Sequence, residues 1–584
     1  MAFWLGFSWF FVIILGHQIY NIMNKLRLYI LLALLLMFGA KAFGQEWEYS
    51  IEYNVYSNPE MTHQYCAYEM SNGNIMVCSA RCFQSGMGNG NFYPPHPAMI
   101  TLSPDGELLA QNDFFKPGYW GSSYYPYVFE NNDGEVFALM SYSPDHDTAY
   151  FNYYQNYDNP PEDAIIGLYK LNNQLQLEES HEYSYPTDNY EARYYQGWAW
   201  WCCHYSGNIF IHSAIVDEDD IVGAYTKNVS FGHQPLQGYD SLFFFRMNFE
   251  GELLANVGYQ MTTSGSPWQE KLRREQLIPT DFGYIYYNPM PPYYFGFSDS
   301  NEKAYDDGTI FYLDKNFNVI KHKAFRQPDG HDWEDNYFDN MAIKRSGHNT
   351  TYIATQTRTN YEQTWEDCRL YEFDDDIDGE GGNAPIIRQI ERGTDEWDIV
   401  ALSRAVDATD SNTLLFCYSM NTGELNNDSW IVIERLDENF ETISTVYYGK
   451  DSDLLCSWAE SITTTRDGGV LLTTETTNLS NPQQGWTTVT KFPAEAFDGI
   501  DEAHDNGLKV AIAYPNPGKD VLNIRTALQN AHVEIYDLSG KLVYNQQITD
   551  NITSINTTSW PSGTYIWKVM ANGKEAESGK WIKE

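Results

Sequence analysis

The sequence predicts an all-β chain: a seven-bladed β-propeller over residues 45–493, then a small C-terminal β-sandwich over 511–584. Three features carry this expectation. A strand–turn–strand unit recurs through the middle of the chain, a second hairpin with glycine at its turn precedes several copies, and near Ala511 the texture changes to many short strands.

The recurring unit occupies residues 99–109, 167–177, 243–253, 310–320, 369–374, 431–441 and 487–492. Its apolar anchors Leu102, Leu171, Met247, Leu313, Phe373, Leu436 and Phe492 fall 56 to 76 residues apart, a recurrence of the kind that marks repeat architectures. Hairpins turning at Gly73, Gly134, Gly207 and Gly468 stand ahead of their copies, since glycine reaches left-handed backbone without steric cost. Two hairpins per unit make a four-stranded antiparallel sheet, the blade of a propeller. The last unit lacks its outer strand, while residues 47–56 form a strand with no sequence neighbour. Pairing the two closes the ring and leaves no bare edge. Tandem sandwiches would satisfy the same strand pattern.

Composition sets the class. The 584 residues carry 36 Lys+Arg against 79 Asp+Glu, a formal charge of −43. Such a surface repels phosphate backbones and no basic block offsets it, so nucleic acid is excluded as a partner. With 45 Tyr, 31 Phe and 17 Trp the chain holds ample apolar material for packed cores, which disordered acidic chains lack.

Residues 7–15 and 28–38 are apolar, and the second run follows Lys25 and Arg27 and precedes Ala42 and Gly44. Basic segment, apolar core and small residues are the layout of a signal peptide. It places the working start at Met23 and the mature N-terminus at Gln45, with residues 1–44 as the signal region. Both runs fall short of the roughly 20 apolar residues that span a bilayer, so no transmembrane anchor is expected in the mature chain. A cysteine directly after the cut, which would mark a lipid anchor, is absent.

Residues 494–510 are rich in Asp, Glu, Ala and Gly and read as an acidic, solvated linker. After it, Tyr514-Pro515-Asn516-Pro517 opens an extended entry. Residues 533–543 read as strand, turn, strand with Gly540 at the turn, and residues 552–555 as a short strand. A turn at Gly563 feeds the strand carrying Tyr565, and the chain closes on Lys583-Glu584. The expected core is Val521, Ile524, Val533, Ile535, Leu542, Tyr565 and Val569. This segment resembles the type A C-terminal sorting domain of the type IX (Por) secretion system of Bacteroidota, a family often ending in Lys or Arg. The resemblance implies export to the periplasm by the signal peptide and recognition of the tail by the type IX machinery. Release or surface attachment outside the outer membrane then follows.

Among motifs that carry chemistry, residues 374–383 are the sharpest: Asp374, Asp376, Asp378 and Glu380 alternate before glycines. Alternating carboxylates on a tight loop can aim several oxygens at one Ca²⁺, although Pro385 stands where an EF-hand has its bidentate Glu. In so acidic a chain the same run also reads as a solvated turn. Aromatic clusters at Tyr119-Trp120, Tyr124-Tyr125-Pro126-Tyr127, Tyr153-Tyr154, Trp198-Ala199-Trp200-Trp201 and Tyr293-Tyr294 would stack on a ligand or pack between blades. No catalytic motif is present; residues 331–335 place His331 beside carboxylates, and a glycosidase pair cannot be located from sequence. Asp147-Thr148-Ala149 and Asp240-Ser241-Leu242 match a short O-glycosylation pattern. Of the 8 cysteines, Cys66 and Cys78 flank one hairpin. A two-residue turn at Asn72-Gly73 would pair Ala67 with Cys78 and put the sulfurs on opposite faces, against a bridge.

The expected function is a secreted or cell-surface binding protein for a glycan, peptide or matrix ligand. The alternatives are a secreted, glycosidase-like hydrolase on the propeller face and a structural surface-layer component.

Overall fold

The computed structural model describes residues 47–584 apart from 55–59, 84–95, 122–125, 145–162, 187–208, 228–239, 262–275, 289–307, 327–340, 345–349, 359–364, 375–381, 384–385, 392–398, 411–412, 421–429, 450–454, 482–483, 498–507, 529–530 and positions 118, 438, 479, 527, 551 and 572. Among the described residues every regular element is a strand except one turn of 3-10 helix, Ala494–Phe497. The chain is all-β, as expected.

Ahead of the C-terminal sandwich the described strands form seven small sheets. The first holds Glu60–Glu69, Ile75–Phe83, His96–Leu102 and Leu108–Asp113. In the second, Tyr119–Gly121 and Tyr127–Glu130 share the first position, before Val136–Pro144, Asp163–Leu171 and Leu177–Pro186. The third is Ile209–Asp217, Asp220–Lys227, Asp240–Asn248 and Leu253–Met261. The fourth is Gln276–Thr280, Gly283–Asn288, Gly308–Asp314 and Val319–Arg326, with Gly382–Asn383 added in parallel. The fifth is Met341–Lys344, Thr350–Arg358, Trp365–Asp374 and Ile386–Glu391. The sixth is Ile399–Asp410, Thr413–Met420, Trp430–Leu436 and Thr442–Tyr448. The seventh takes Leu455–Thr464, Val470–Asn478 and Gln484–Phe492 from one end of the cargo region and Trp47–Asn54 from the other. That last pairing runs antiparallel from Trp47 opposite Lys491 to Asn54 opposite Gln484, the closure expected from the sequence.

Contacts between sheets form a closed succession. Ile209–Asp217 touches Val136–Pro144 on one side and Gln276–Thr280 on the other; Met341–Lys344, Ile399–Asp410, Leu455–Thr464 and Glu60–Glu69 follow in turn, and His96–Leu102 meets Tyr119–Gly121. The anchors Leu102, Leu171, Met247, Leu313, Leu436 and Phe492 lie at or next to the ends of their third strands and are all buried. Burying a side chain of this size contributes about 1.5–3 kcal/mol.

The turns after four of the anchors are built one way. Ser103, Asn172, Asp314 and Asp437 each accept, on a side-chain oxygen, the N–H groups two and four residues on. The third loop residue then takes positive φ: Gly106 at 82°, Leu175 at 55°, Phe317 at 66° and Phe440 at 64°. Leu175 and Phe317 accept this disfavoured backbone because their side chains fill buried gaps between sheets.

Outer strands latch onto these turns. Asn112 Nδ2 donates to Leu175 O at 2.7 Å, and Tyr259 Oη donates to Phe317 O at 2.6 Å while accepting Val319 N–H at 3.2 Å. Tyr183 does the same with Gly251 O and Leu253 N–H. The closing strand repeats the device: Trp47 Nε1 donates to Pro104 O at 2.7 Å, and its indole lies where a Cβ on Gly106 would come within 2.6 Å. On its other side Glu48 accepts a hydrogen bond from Tyr448 of the sixth sheet at 2.7 Å.

The C-terminal sandwich packs the sheet Ala511–Tyr514, Val521–Thr526, Ile552–Asn556 on the sheet Leu542–Gln547, Ala531–Asp537, Gly563–Ala571, Lys574–Lys583. Ile524, Val533, Ile535, Tyr565 and Val569 are core, as expected, joined by Leu522, Trp567 and Trp581. Val521 and Leu542 are not: they are 39% and 44% exposed, one residue out of phase with the inward face.

Three further expectations are corrected. In the third sheet the first hairpin turns at Glu218, with φ 60°, and not at Gly207, which lies outside the described residues. The ends of segment 494–510 are packed and not solvated: Ala496 and Phe497 join the buried cluster of the sixth and seventh sheets, and Leu508–Lys509 pairs with Tyr447 and Tyr448 as a fifth strand. Cys66 stands opposite Cys78, and Ala67 opposite Val77, because the hairpin holds a three-residue loop with Gly73 left-handed at φ 85°.

Candidate functional site

The tail motif is built around the last strand. Both X–Pro bonds of residues 514–517 are cis. Tyr514 is buried in the cluster that joins the sandwich to the sixth sheet. Pro515 O accepts Trp581 Nε1 at 2.7 Å; Asn516 donates to Lys580 O at 3.0 Å and accepts Ile582 N–H at 2.9 Å. Gly518 donates to Ile582 O and accepts Glu584 N–H, each at 2.9 Å, and a Cβ there would come within 2.8 Å of the Trp581 ring. Gly518 and the core role of Trp581 escaped the sequence reading, though a glycine directly after Pro517 was a usable signal.

The hairpin at Gly540 is an Asp turn: Asp537 accepts Ser539 N–H at 2.9 Å and Lys541 N–H at 3.0 Å, and the Ser539 hydroxyl leads the bonds that hold its carboxyl below the usual range. Tyr565, three positions from the Pro-Ser-Gly turn edge at Ser562 and two from Gly563, donates to Pro561 O at 2.8 Å and packs with Trp560 and Trp581. Residues 512–584 match the family model described as the secretion system C-terminal sorting domain. This segment is a type IX secretion sorting domain. The sorting domain marks the chain for recognition by the type IX machinery and for export to the cell surface or the extracellular space.

The sorting domain is clamped to the sixth sheet. Arg525 donates to Tyr418 Oη at 3.0 Å, Tyr418 donates to buried Glu434 at 3.2 Å, and Lys509 Nζ lies 5.0 Å from the Trp430 ring centroid. Burial pushes the Tyr447 phenol up to about 12, against the lowering pull of Arg525 beside it.

In the sheets themselves, alternating strand direction gives two distinct ends. Turns 70–74, 131–135 and 465–469 leave at the same end as turns 103–107, 172–176, 248–252, 314–318 and 437–441. The described strands that flank residues 145–162, 187–208, 289–307 and 327–340 meet those segments at the other end. Tyr153, Tyr154, Trp198, Trp200, Trp201, Tyr293, Tyr294, His331 and Glu334 belong to those segments and lie outside the described residues. Of the other aromatics, Tyr119 packs edge-on to Tyr142, and Tyr127 is buried and donates to His212 O at 2.6 Å, so both serve packing. Asp374 ends its strand at the short-turn end; Asp376, Asp378 and Glu380 lie outside the described residues. No group of three or more potential metal ligands occurs among the described residues, and no described helix is long and apolar enough to cross a membrane.

No curated protein sequence matches the chain. Among solved structures, the NanB sialidase of Streptococcus pneumoniae is similar over 76% of this chain and 70% of its own, with 9% identity and a TM-score of 0.38. A GH93 α-L-arabinofuranosidase of Fusarium graminearum is similar over 63% and 92%, with 11% identity and a TM-score of 0.34. PorZ, a bacterial surface component of the type-IX secretion system of Porphyromonas gingivalis, is similar over 92% and 100%, with 9% identity and a TM-score of 0.18.

Proposed function

We propose that this chain is a seven-bladed β-propeller, matured at Gln45 and exported by its sorting domain, that binds an extracellular glycan or peptide at the long-connection end of its sheets. The closure of the seventh sheet by Trp47–Asn54, with the unbroken succession of sheet contacts, supports the propeller. One observation carries the binding face. The described strands flanking residues 145–162, 187–208 and 289–307 meet those segments at the same end of their sheets, and the sequence between them carries Tyr153, Tyr154, Trp198, Trp200, Trp201, Tyr293 and Tyr294. Aromatic side chains suit stacking on sugar rings or on peptide side chains. The net charge of −43 disfavours polyanionic ligands at any face.

The test is a glycan and peptide array probed with the full exported protein, then with Trp198, Trp200 and Trp201 all changed to Ala. Binding lost at an unchanged melting temperature supports the reading; binding retained by the triple variant refutes it. A hydrolase is the second reading, because the sequence places His331 and Glu334 in residues 327–340, between described strands that meet that segment at this same end. Cleavage of an arrayed glycan, abolished by Glu334→Gln, would favour it; a glycosidase needs two carboxyls about 5–10 Å apart.

A further inference from the structure

The turn joining Glu60–Glu69 to Ile75–Phe83 fixes the register of the first sheet. Met70 N–H donates to Asn74 O and Gly73 N–H to Met70 O, each at 2.8 Å, so Glu69 faces Ile75, Ala67 faces Val77 and Cys66 faces Cys78. Directly opposed residues of an antiparallel pair project to one face with Cα atoms about 4.5–5.5 Å apart. Disulfides need about 4.4–6.8 Å. Both thiols are 0% exposed and share one cluster with Met70, Met76 and Met99. The register shifts between His63 and Cys66, so a bulge beside Cys66 gives that strand room to adjust.

We propose that Cys66 and Cys78 are joined by a disulfide in the exported protein, formed before the first and second sheets close over them. The proposal rests on the export reading, since disulfides persist in the periplasm and outside the cell. The oxidant is a thiol–disulfide oxidoreductase or small disulfide of that compartment. One cysteine thiolate attacks a sulfur of the oxidant's disulfide and expels its other sulfur as thiolate. The second cysteine thiolate then attacks the mixed disulfide, forming Sγ–Sγ and expelling the oxidant's remaining thiolate. The two cysteines together lose two electrons and two protons, and the oxidant leaves as a dithiol. Complete burial denies an oxidant either sulfur after folding, which sets the order of events.

Cys417 is the internal control. It is buried in Thr413–Met420 opposite Ile433, with no cysteine across the sheet, and burial pushes its thiol up.

The experiment is peptide mapping of protein recovered outside the cell, denatured and alkylated without reductant, then digested with trypsin. No Lys or Arg lies between residues 42 and 80, so Cys66 and Cys78 fall in one peptide ending at Arg81 that holds no other cysteine. The expected peptide is unlabelled, lighter by two hydrogens, and takes up two labels only after reduction, while the Cys417 peptide labels at once. Two labels on the first peptide without reduction, or a link from it to another cysteine, would overturn the proposal. Protein found only inside the cell would instead count against export. Protein folded in a reducing cytosol and then given oxidised glutathione should keep both thiols; rapid oxidation of that folded dithiol would overturn the order of events.

Discussion

The closing contact offers a test in which two substitutions must interact. Trp47 packs its indole on Gly106 and donates to Pro104 O. Trp47→Ala removes one hydrogen bond, about 1 kcal/mol, and the packing of a half-buried ring, roughly half of the 3–5 kcal/mol seen for buried aromatics. The expected loss is about 2.5–3.5 kcal/mol. Gly106→Ala places a Cβ at left-handed φ, about 1–2 kcal/mol, and drives it to 2.6 Å from the indole, a clash of about 1–3 kcal/mol more. In the double variant the indole is gone and only the φ cost remains. The double loss should therefore fall short of the sum of the singles by about 1–3 kcal/mol. Urea unfolding of the four proteins, followed by tryptophan fluorescence, measures this coupling. Additivity within about 0.5 kcal/mol would refute the closure contact.

Other outcomes follow from the same geometry. Asp217 accepts hydrogen bonds from Tyr284 and Lys315 and faces Arg246 at 3.7 Å; burial raises its pKa, but these partners outweigh burial and hold it below the usual value. Its folded pKa thus lies under the unfolded one, about 3.9, so its stabilisation is full above about pH 4 and is lost as pH falls through the folded value. Melting scans from about pH 5 to about pH 2 should show an acid limb that Asp217→Asn flattens; an unchanged limb would contradict the assignment. Arg525→Ala strips the cation from buried Tyr418 and Glu434 and should cost about 2–4 kcal/mol, read as a lower melting temperature; a neutral outcome would mean the sorting domain does not brace the sixth sheet. Asn516→Ala removes both hydrogen bonds to the final strand and should destabilise the sorting domain by about 1–2 kcal/mol, seen as faster amide exchange at Ile582; unchanged exchange would deny the pin. Calcium held by Asp374, Asp376, Asp378 and Glu380 predicts a melting temperature lowered by chelator, a difference that Asp376→Ala erases; identical curves would leave only an acidic turn.

Much of the fold was legible because local chemistry repeats. Leu102, Leu171, Met247, Leu313 and Leu436 lie at or next to their strand ends before turns whose Ser, Asn or Asp side chains bind their own backbone, and both signals are short-range. The unpaired strand at Trp47 could be placed because a sheet lacking its outer strand leaves one vacancy to fill. What stayed hidden depends on distance or on a single residue of register. Tyr183 reaches Gly251, 68 positions away, and nothing local distinguishes that tyrosine from its neighbours. Reading Asn72-Gly73 as a two-residue turn shifted Cys78 by one place, since the actual loop also takes in Ser71. Acidic composition masked Phe497 and Leu508, whose apolar side chain and strand pairing tie both ends of the segment down. In the candidate site, the sorting motif was readable because its residues are nearly contiguous, whereas a ligand face of the kind proposed would draw on residues far apart in sequence.

The central claim is that the sorting domain carries a propeller out of the cell. The direct measurement is fractionation of a type IX-competent host expressing the full chain or a chain ending at Asn506. The full chain should appear on the surface or in the medium, beginning at Gln45. The shortened chain should remain in the periplasm, folded but melting lower for want of Ile512, Tyr514 and Arg525. Surface delivery of the shortened chain at the full-length level would contradict the account.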